Sequence, residues 1–200
     1  MQTLYTIGHS NHALEDFLQL LRRHGISAVA DVRSSPYSRY TSQFNREVLQ
    51  AALKEAEIAY VFLGRELGAR REDPSCYRDG RVCFERVART ELFQAGLSRL
   101  RAGAESYRIA VMCAEKDPTS CHRMILVCRH LRAAELRIDH ILEDGELENN
   151  DDTERRLMRE LGIAENDLFA SREELVEHAY EIQGGKIGYR QDDEASREEM

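Results

Sequence analysis

Five side chains that could do chemistry crowd into eleven residues: Cys113, Glu115, Cys121, His122 and Arg123. Thiols, imidazoles and carboxylates are the groups that proteins use as nucleophiles, as acids and bases, and as metal ligands. An apolar run over residues 107–112 precedes the group and predicts a buried strand. Turn and capping residues at 117–120 then lead into a helical pattern. The sequence therefore predicts its chemistry where a strand gives way to a helix.

The two cysteines of this group each allow two interpretations. Cys121 falls at the predicted first turn of a helix, where the unpaired backbone N–H groups, His122 and Arg123 would favour a thiolate that serves as nucleophile or redox thiol. It also shares a predicted apolar face with Cys128, which is typical of a small core residue. Cys113 directly follows the buried strand and is either structural or catalytic. Both interpretations stay open at this stage.

Other polar residues follow the remaining predicted strands, and parallel strands bring their carboxyl ends to one edge of a sheet, where ligands bind. A carboxylate such as Asp31, at the end of an apolar strand, must be solvated or paired, and Arg33 or Arg123 is the natural partner. We predict these catalytic residues: Cys121, Cys113, Glu115, His9 and Asp31.

Arginines, hydroxyls and a helix start near this edge are typical of a site for a phosphate or carboxylate. Neither a G-x-x-x-x-G-K-[ST] loop nor a G-x-G-x-x-G fingerprint is present, so the common nucleotide motifs are excluded. We predict these substrate-binding residues: Arg33, Arg39, Arg123, His122, Ser10, Ser34 and Glu66.

A metal site is an alternative use of the same residues. Cys113, Cys121 and His122, with His9 or His140, would make a plausible zinc set, but their spacing matches no standard pair such as C-x-x-C. We therefore assign no metal ligand and predict no particular cofactor.

The order of apolar runs predicts an α/β fold. Strands are expected at 4–7, 28–32, 58–62, 107–112 and 136–142, with helical patterns between them, one of which runs from Cys121 to about Ala134. This alternation indicates a three-layer open sheet of about five mostly parallel strands with helices on both faces. We expect the α/β domain to span 1–145, a short, helical, acidic C-terminal extension to span 146–190, and a disordered tail to span 191–200.

Charge is distributed unevenly along the chain. The 200 residues carry a net charge of −8, but residues 143–200 hold 19 acidic and 7 basic side chains, a net charge of −12, so residues 1–142 carry about +4. A mildly basic body suits a small anionic ligand. No apolar stretch reaches membrane-spanning length and no signal peptide is recognised, so we expect a cytoplasmic protein without a membrane partner. The five cysteines then predict no disulfide framework. The oligomeric state is not predicted.

Several motifs resemble those of the domain-of-unknown-function 488 family: TIGHSN, DVRSSPYSR, YVFLGRELG, and VMCAEKDPTSCHR followed by HIL. The resemblance covers roughly residues 3–145 in the right order. It implies a cytosolic α/β domain of bacteria and archaea and names no reaction. It also implies these signature positions: His9, Asp31, Arg33, Glu66, Cys113, Glu115, Cys121, His122 and Arg123.

Three functions remain open from the sequence. The first is an enzyme that acts on a small anionic, phosphate-bearing or nucleotide-like substrate through the Cys-His-Arg group. The second is a non-catalytic module that binds a nucleotide or nucleic acid. The third is a zinc-binding hydrolase or a zinc-stabilised domain.

Overall fold

The computed structural model describes residues 2–132 and 136–190 of the chain. The predicted disordered tail at 191–200 and the predicted helix end at Ala134 lie outside the described residues.

Six strands form the main sheet, in the order β3-β2-β6-β1-β7-β8, and two short strands form a separate antiparallel hairpin. The bounds are β1 Gln2–Gly8, β2 Ala28–Asp31, β3 Ala59–Phe62, β4 Tyr77–Arg78, β5 Arg81–Val82, β6 Ile109–Cys113, β7 Leu136–Ile141 and β8 Leu147–Asn149. Five strands of the main sheet pair in parallel, and β8 pairs antiparallel with β7. The predicted α/β fold with a mostly parallel sheet is confirmed; β8 and the β4–β5 hairpin were not predicted.

Helices pack on both faces of this sheet. Their bounds are α1 Leu14–Arg23, α2 Arg46–Glu55, α3 Gly64–Leu67, α4 Phe84–Ala88, α5 Glu91–Ala104, α6 Asn150–Glu160 and α7 Arg172–Ile187. No helix in the described ranges combines the length and apolar character needed to cross a membrane.

The alternation of side chains along β6 decides which face carries the chemistry. Ala110 and Met112 join the core on the side of α1 and α2, whereas Val111 and Cys113 join the core on the side of α5 and α7. This period of two is the ordinary pleat of a strand. Cys113 therefore points to the face that α7 covers.

Over the described residues, the helix predicted from Cys121 forms as a series of short helical turns rather than as one α-helix. A 3-10 turn covers Pro118–Ser120, Cys121 is extended (φ −125°, ψ 139°), a π-helical turn covers Arg123–Val127, and a 3-10 turn covers Cys128–His130. The side chain of Asp117 accepts a hydrogen bond from the backbone N–H of Thr119 and so caps the start of the first 3-10 turn. Short π-helical turns of this kind are frequent at functional sites.

The segment 146–190 shares the core of the rest of the chain. Its strand β8 extends the sheet, and α7 inserts Val176, Ala179 and Tyr180 into the core beside α5. A capping box between Ser171 and Glu174 starts α7. The end of α7 thereby reaches the face of the sheet to which Cys113 points.

A buried histidine makes stability depend on pH. His140 is fully buried between Thr6 and Asn150, and burial lowers its pKa to about 4. In the unfolded chain this histidine has an ordinary pKa of about 6.5, so as the pH falls the unfolded chain binds a proton before the folded protein does. The stabilisation that neutral His140 gives the folded state is therefore complete above about pH 6.5 and is lost as the pH falls towards 4.

We expect this one group to cost roughly 2–3 kcal/mol of unfolding free energy between pH 7.5 and pH 4.5. His140→Gln should remove that part of the pH dependence, measured by urea denaturation at both pH values. Burial and the charge of Arg33 also lower the pKa of His9 to about 4. His9 contributes the same pH dependence to wild type and to the variant, so its contribution cancels when the two are compared. An unchanged pH dependence in the variant would contradict the assignment.

Candidate functional site

A crevice forms where the chain leaves β2 and β6 in opposite directions. The connection after β2 runs outward to β3, and the connection after β6 runs the other way, past β1, to β7. In open parallel sheets, ligands bind beyond the carboxyl ends of such diverging strands. The residues after β2 and β6 are therefore the first place to look for a site.

Four side chains converge beyond the end of β6, and we call them the reactive cluster: Cys113, Glu115, Cys121 and His122. The Oε2 atom of Glu115 lies 3.1 Å from the Cys113 sulfur and 3.2 Å from the Cys121 sulfur, and either thiol can donate to it. The Nδ1 atom of His122 lies 3.5 Å from the Cys113 sulfur. All four potential ligand atoms lie within 4.8 Å of one another.

The surrounding backbone orients the cluster. Nε2 of His122 donates to the carbonyl of Val32 at 3.0 Å, which leaves Nδ1 free to face the sulfurs. The backbone N–H of Arg123 donates to the Cys121 sulfur at 3.4 Å. The sequence predicted that several N–H groups at a helix N-terminus would stabilise a Cys121 thiolate. In the structure, one backbone N–H, that of Arg123, donates to the Cys121 sulfur.

Each group of the cluster has a displaced pKa. Burial by itself raises the pKa of Cys121, but the Cys113 thiol, the Arg123 charge and His122 outweigh burial and hold that pKa well below its ordinary value. Contact with the Cys121 sulfur and burial raise the pKa of Cys113 well above the ordinary value. Burial and the negative charge of Cys121 raise the pKa of Glu115. Burial lowers the pKa of His122, yet contact with Cys121 and its charge reverse the direction and raise it. The negative charge of the pair is thus concentrated on Cys121.

Arg123 is fully buried and holds the loop that carries Glu115. Its guanidinium donates to the backbone carbonyls of Glu115 and Lys116 and to the hydroxyl of Thr6. From the other side, the backbone N–H of His9 donates to the carbonyl of Cys113 at 2.9 Å. The loop is therefore fixed from both sides, and Arg123 acts on the cluster through its charge and through this loop.

A second group of predicted residues forms a buried ion pair at the end of β2. Arg33 donates to both carboxylate oxygens of Asp31, at 2.9 and 2.7 Å, and to the carbonyl of Phe44. Its remaining nitrogen donates to Nε2 of His9 at 3.2 Å, while Nδ1 of His9 donates to the carbonyl of Ser10. Tyr60 also donates to Asp31, and burial together with Asp31 raises the pKa of this phenol above its ordinary range. The pair positions the loop after β2.

A cavity of about 550 Å³ opens beside the cluster. Cys113, Glu115 and His122 line it, whereas Cys121 is buried and is absent from the described residues that line the cavity. Five cationic side chains and one carboxylate, that of Glu115, line it. The cationic residues are Arg33, Arg70, Arg81, Lys186 and Arg190. A ligand in this space would meet both cationic side chains and three members of the reactive cluster.

Residues at the end of α7 close the cavity. The guanidinium of Arg70 lies 4.6 Å from the ring centroid of Tyr189, and the carbonyl of Tyr189 accepts the N–H of Val82. Arg81 and Arg190 form an antiparallel bridge, which fixes the chain end against β5. We call residues 186–190 the closing segment.

The other predicted site residues are dispersed. Ser34 lines the cavity and accepts the backbone N–H of Arg70 at 2.9 Å. Ser10 points to Asn11, Arg39 stacks on the exposed ring of Tyr40, and Glu66 pairs with Arg99. The structure does not bring Ser10, Arg39 or Glu66 to the lining of the cavity described above.

Arg70, Arg81 and the closing segment were not predicted from the sequence. One signal could have indicated the last of these: GGKIGYR, at 184–190, carries two bases and no acid within an otherwise acidic end of the chain. Arg70 and Arg81 gave no such signal, because their loop is rich in arginine throughout.

Another cavity, of about 610 Å³, lies around the β4–β5 hairpin and the end of α7. It is lined by Arg78, Arg86 and Arg89 together with Glu85 and Glu181. None of the predicted catalytic residues reaches it. The candidate site therefore remains at the reactive cluster.

A family model matches residues 13–129, and its description is "Domain of unknown function DUF488". The match includes the whole reactive cluster and ends before α6. No curated protein and no solved structure matches the chain.

Proposed function

This chain belongs to the DUF488 family, and we propose that it is an enzyme that acts on a small anionic substrate held in the cavity beside the reactive cluster. One observation supports the proposal above the others. The cavity that five cationic side chains line is also lined by three chemically competent groups, Cys113, Glu115 and His122.

The charge of the lining favours an anionic ligand. Asp31 already balances the charge of Arg33, but the other four cations meet only one lining carboxylate, although the whole chain is acidic. Low-dielectric walls strengthen such a field and concentrate anions of phosphate or carboxylate type. A volume of about 550 Å³ suits a molecule of metabolite size. Binding of a long nucleic acid, an alternative from the sequence, draws less support from a partly open cavity of this size.

The roles follow from position. Glu115 is exposed as a residue while its carboxylate turns inward to the two sulfurs, so it can exchange protons between the cluster and a ligand. Cys121 supplies negative charge from its buried position. Arg123, Asp31 and His9 are positioning residues, since their contacts run to the loops that hold the cluster rather than to the cavity space. We also propose a cytosolic location, where five free cysteines are stable.

Anion binding can be tested with a matched pair of lysines. Lys186 and Lys54 both lie exposed in the last turn of a helix, but only Lys186 lines the cavity. Inorganic phosphate and AMP, titrated calorimetrically at low ionic strength, should bind wild type and Lys54→Glu equally. Lys186→Glu should bind about three- to tenfold more weakly, because a favourable charge contact becomes an unfavourable one. Equal weakening by both substitutions would indicate non-specific attraction and contradict the assigned site.

Turnover can be tested with a matched pair of carboxylates. Glu85 accepts the thiol of Cys83 at 3.1 Å, as Glu115 accepts that of Cys113, but Glu85 has no second thiol beside it. In a mass-spectrometric screen of phosphorylated metabolites, we expect a product from wild type and from Glu85→Gln. Glu115→Gln should form it about 10²–10⁴-fold more slowly, the usual effect of losing a general acid or base. Binding of several anions with no product from any would favour the non-catalytic module instead.

A further inference from the structure

We infer that Cys113, Glu115, Cys121 and His122 bind a single transition-metal ion of the zinc class. The inference rests on the proposed function for what the metal does, but not for its presence. Neither the spacing of these residues in the sequence nor the family description indicates a metal site.

The geometry of the four ligand atoms is the first support. A tetrahedral zinc ion with bonds of about 2.0–2.3 Å places its ligand atoms about 3.3–3.8 Å apart. The Cys113 and Cys121 sulfurs lie 3.1 and 3.2 Å from the Glu115 oxygen, and the Cys113 sulfur lies 3.5 Å from Nδ1 of His122. All four atoms lie within 4.8 Å of one another, so movements of up to about 1 Å would bring them to tetrahedral spacing around one ion.

The chemistry of the ligand set is the second support. Two thiolates and an imidazole are soft or borderline ligands, which select zinc and similar ions over Mg²⁺ and Ca²⁺. Two sulfurs approach the same atom, Oε2 of Glu115. A divalent cation at the centre would accept a lone pair from each of the four ligand atoms: the two sulfurs, Oε2 of Glu115 and Nδ1 of His122.

The contacts behind the ligands are the third support. Metal-binding histidines commonly donate their second ring N–H to a backbone carbonyl, which fixes the ring and the tautomer. His122 makes this contact with Val32 at 3.0 Å, and the N–H of Arg123 donates to the Cys121 sulfur. The buried guanidinium of Arg123 also offsets the negative charge that two thiolates and a carboxylate bring to one ion.

The position of the cavity identifies the exchangeable ligand. Cys113, Cys121 and His122 are buried, whereas Glu115 is exposed and lines the cavity. Two cysteines and a histidine with one open position make a known catalytic zinc arrangement. Cys113, Cys121 and His122 would hold the metal, and a water molecule could replace Glu115 as its fourth ligand. The metal would supply an activated water beside the anionic substrate, and Glu115 would accept its proton. Cys121 is then a ligand rather than the attacking nucleophile, which agrees with its buried position.

Metal content and cobalt spectra test the site directly. The full chain, expressed in zinc-supplemented medium, should carry one zinc ion per chain by elemental analysis. After removal of zinc with a chelator, added Co²⁺ should produce tetrahedral d–d bands and sulfur-to-cobalt charge-transfer absorption. Cys113→Ser, Cys121→Ser and His122→Asn should each weaken zinc binding at least about a hundredfold, since even outer contacts contribute tenfold to a hundredfold.

Cys83→Ser is the matched control, because Cys83 donates to a carboxylate two residues later just as Cys113 does. It should retain one zinc ion and the cobalt spectrum. If the cluster variants do not fold, alkylation of wild type with iodoacetamide replaces them: zinc should protect Cys113 and Cys121 and leave Cys83 unaffected. A metal-free wild type with no cobalt charge-transfer bands, or equal zinc loss in Cys83→Ser, would overturn the inference.

The outcomes separate this inference from the proposed function. Stoichiometric zinc without any turnover would sustain the metal site and refute the enzyme. Turnover by a wild type that carries no zinc and gives no cobalt charge-transfer bands would sustain the enzyme and refute the metal site.

Discussion

Asp31→Asn is expected to lower the free energy of unfolding by about 3–5 kcal/mol, the usual cost of breaking a buried ion pair on one side. The carboxylate of Asp31 is fully buried and accepts four hydrogen bonds, three from Arg33 and one from Tyr60. An asparagine amide would present N–H groups to these donors and would leave the guanidinium without its counterion. Chemical denaturation at pH 7 measures the effect.

An exposed carboxylate provides the control for this substitution. Glu15 accepts Arg22 at 3.1 Å, but 64% of its side-chain surface is exposed. Glu15→Gln should therefore change the unfolding free energy by no more than about 1 kcal/mol. If Asp31→Asn were equally mild, the buried pair could not be what holds the loop after β2, and its role as a positioning element would have to be given up.

Gly8→Ala is expected to cost more than about 3 kcal/mol and to abolish metal binding, because the new methyl group has no room. A Cβ at Gly8 would lie 1.9 Å from the carbonyl oxygen of Glu115 and 2.9 Å from the Cα of Lys116. These are backbone atoms, and Arg123 holds both residues by their carbonyls on the far side. The loop cannot retreat without losing that clamp.

Gly185→Ala is the matched control for Gly8→Ala. Gly185 lies within α7, and a Cβ there would meet no atom within 4 Å. Alanine at this helical position should be neutral or stabilising by up to about 1 kcal/mol. Thermal unfolding and zinc content should be measured on both variants. Normal zinc content in Gly8→Ala would show that the close approach of β1 to the loop is not needed for the site.

The main sheet was predictable because its strands are short apolar runs that alternate with amphipathic helical patterns. β8 was not predictable in the same way, since Leu147–Asn149 has a polar, exposed composition and becomes a strand only by pairing with β7. The helix predicted from Cys121 had the right apolar spacing but the wrong hydrogen bonding. Spacing records which side chains are buried, and π-helical and 3-10 turns bury nearly the same ones.

The convergence of the candidate site was predictable in part. Parallel topology alone brings the residues after β2 and β6 together, and this grouped Arg33 and Ser34 with Cys113 and Glu115. The partners of the arginines could not be inferred from residue type. Arg123 was predicted to bind an anion, and its guanidinium instead donates to backbone carbonyls and Thr6. An arginine charge can bind an anion or hold a backbone loop, and only the structure shows which of the two Arg123 does.

The closing segment lies outside the part of the chain that the family model matches, while the reactive cluster lies inside it. Two of the five cations that line the cavity, Lys186 and Arg190, lie in the closing segment, about 60 residues after the cluster, whereas Arg33, Arg70 and Arg81 lie within the matched part. Substitutions at residues 186–190 would therefore change part of the positive lining and leave the reactive cluster intact. Under the proposed function, the C-terminal end would adjust ligand binding while Arg33, Arg70 and Arg81 keep their places in the cavity.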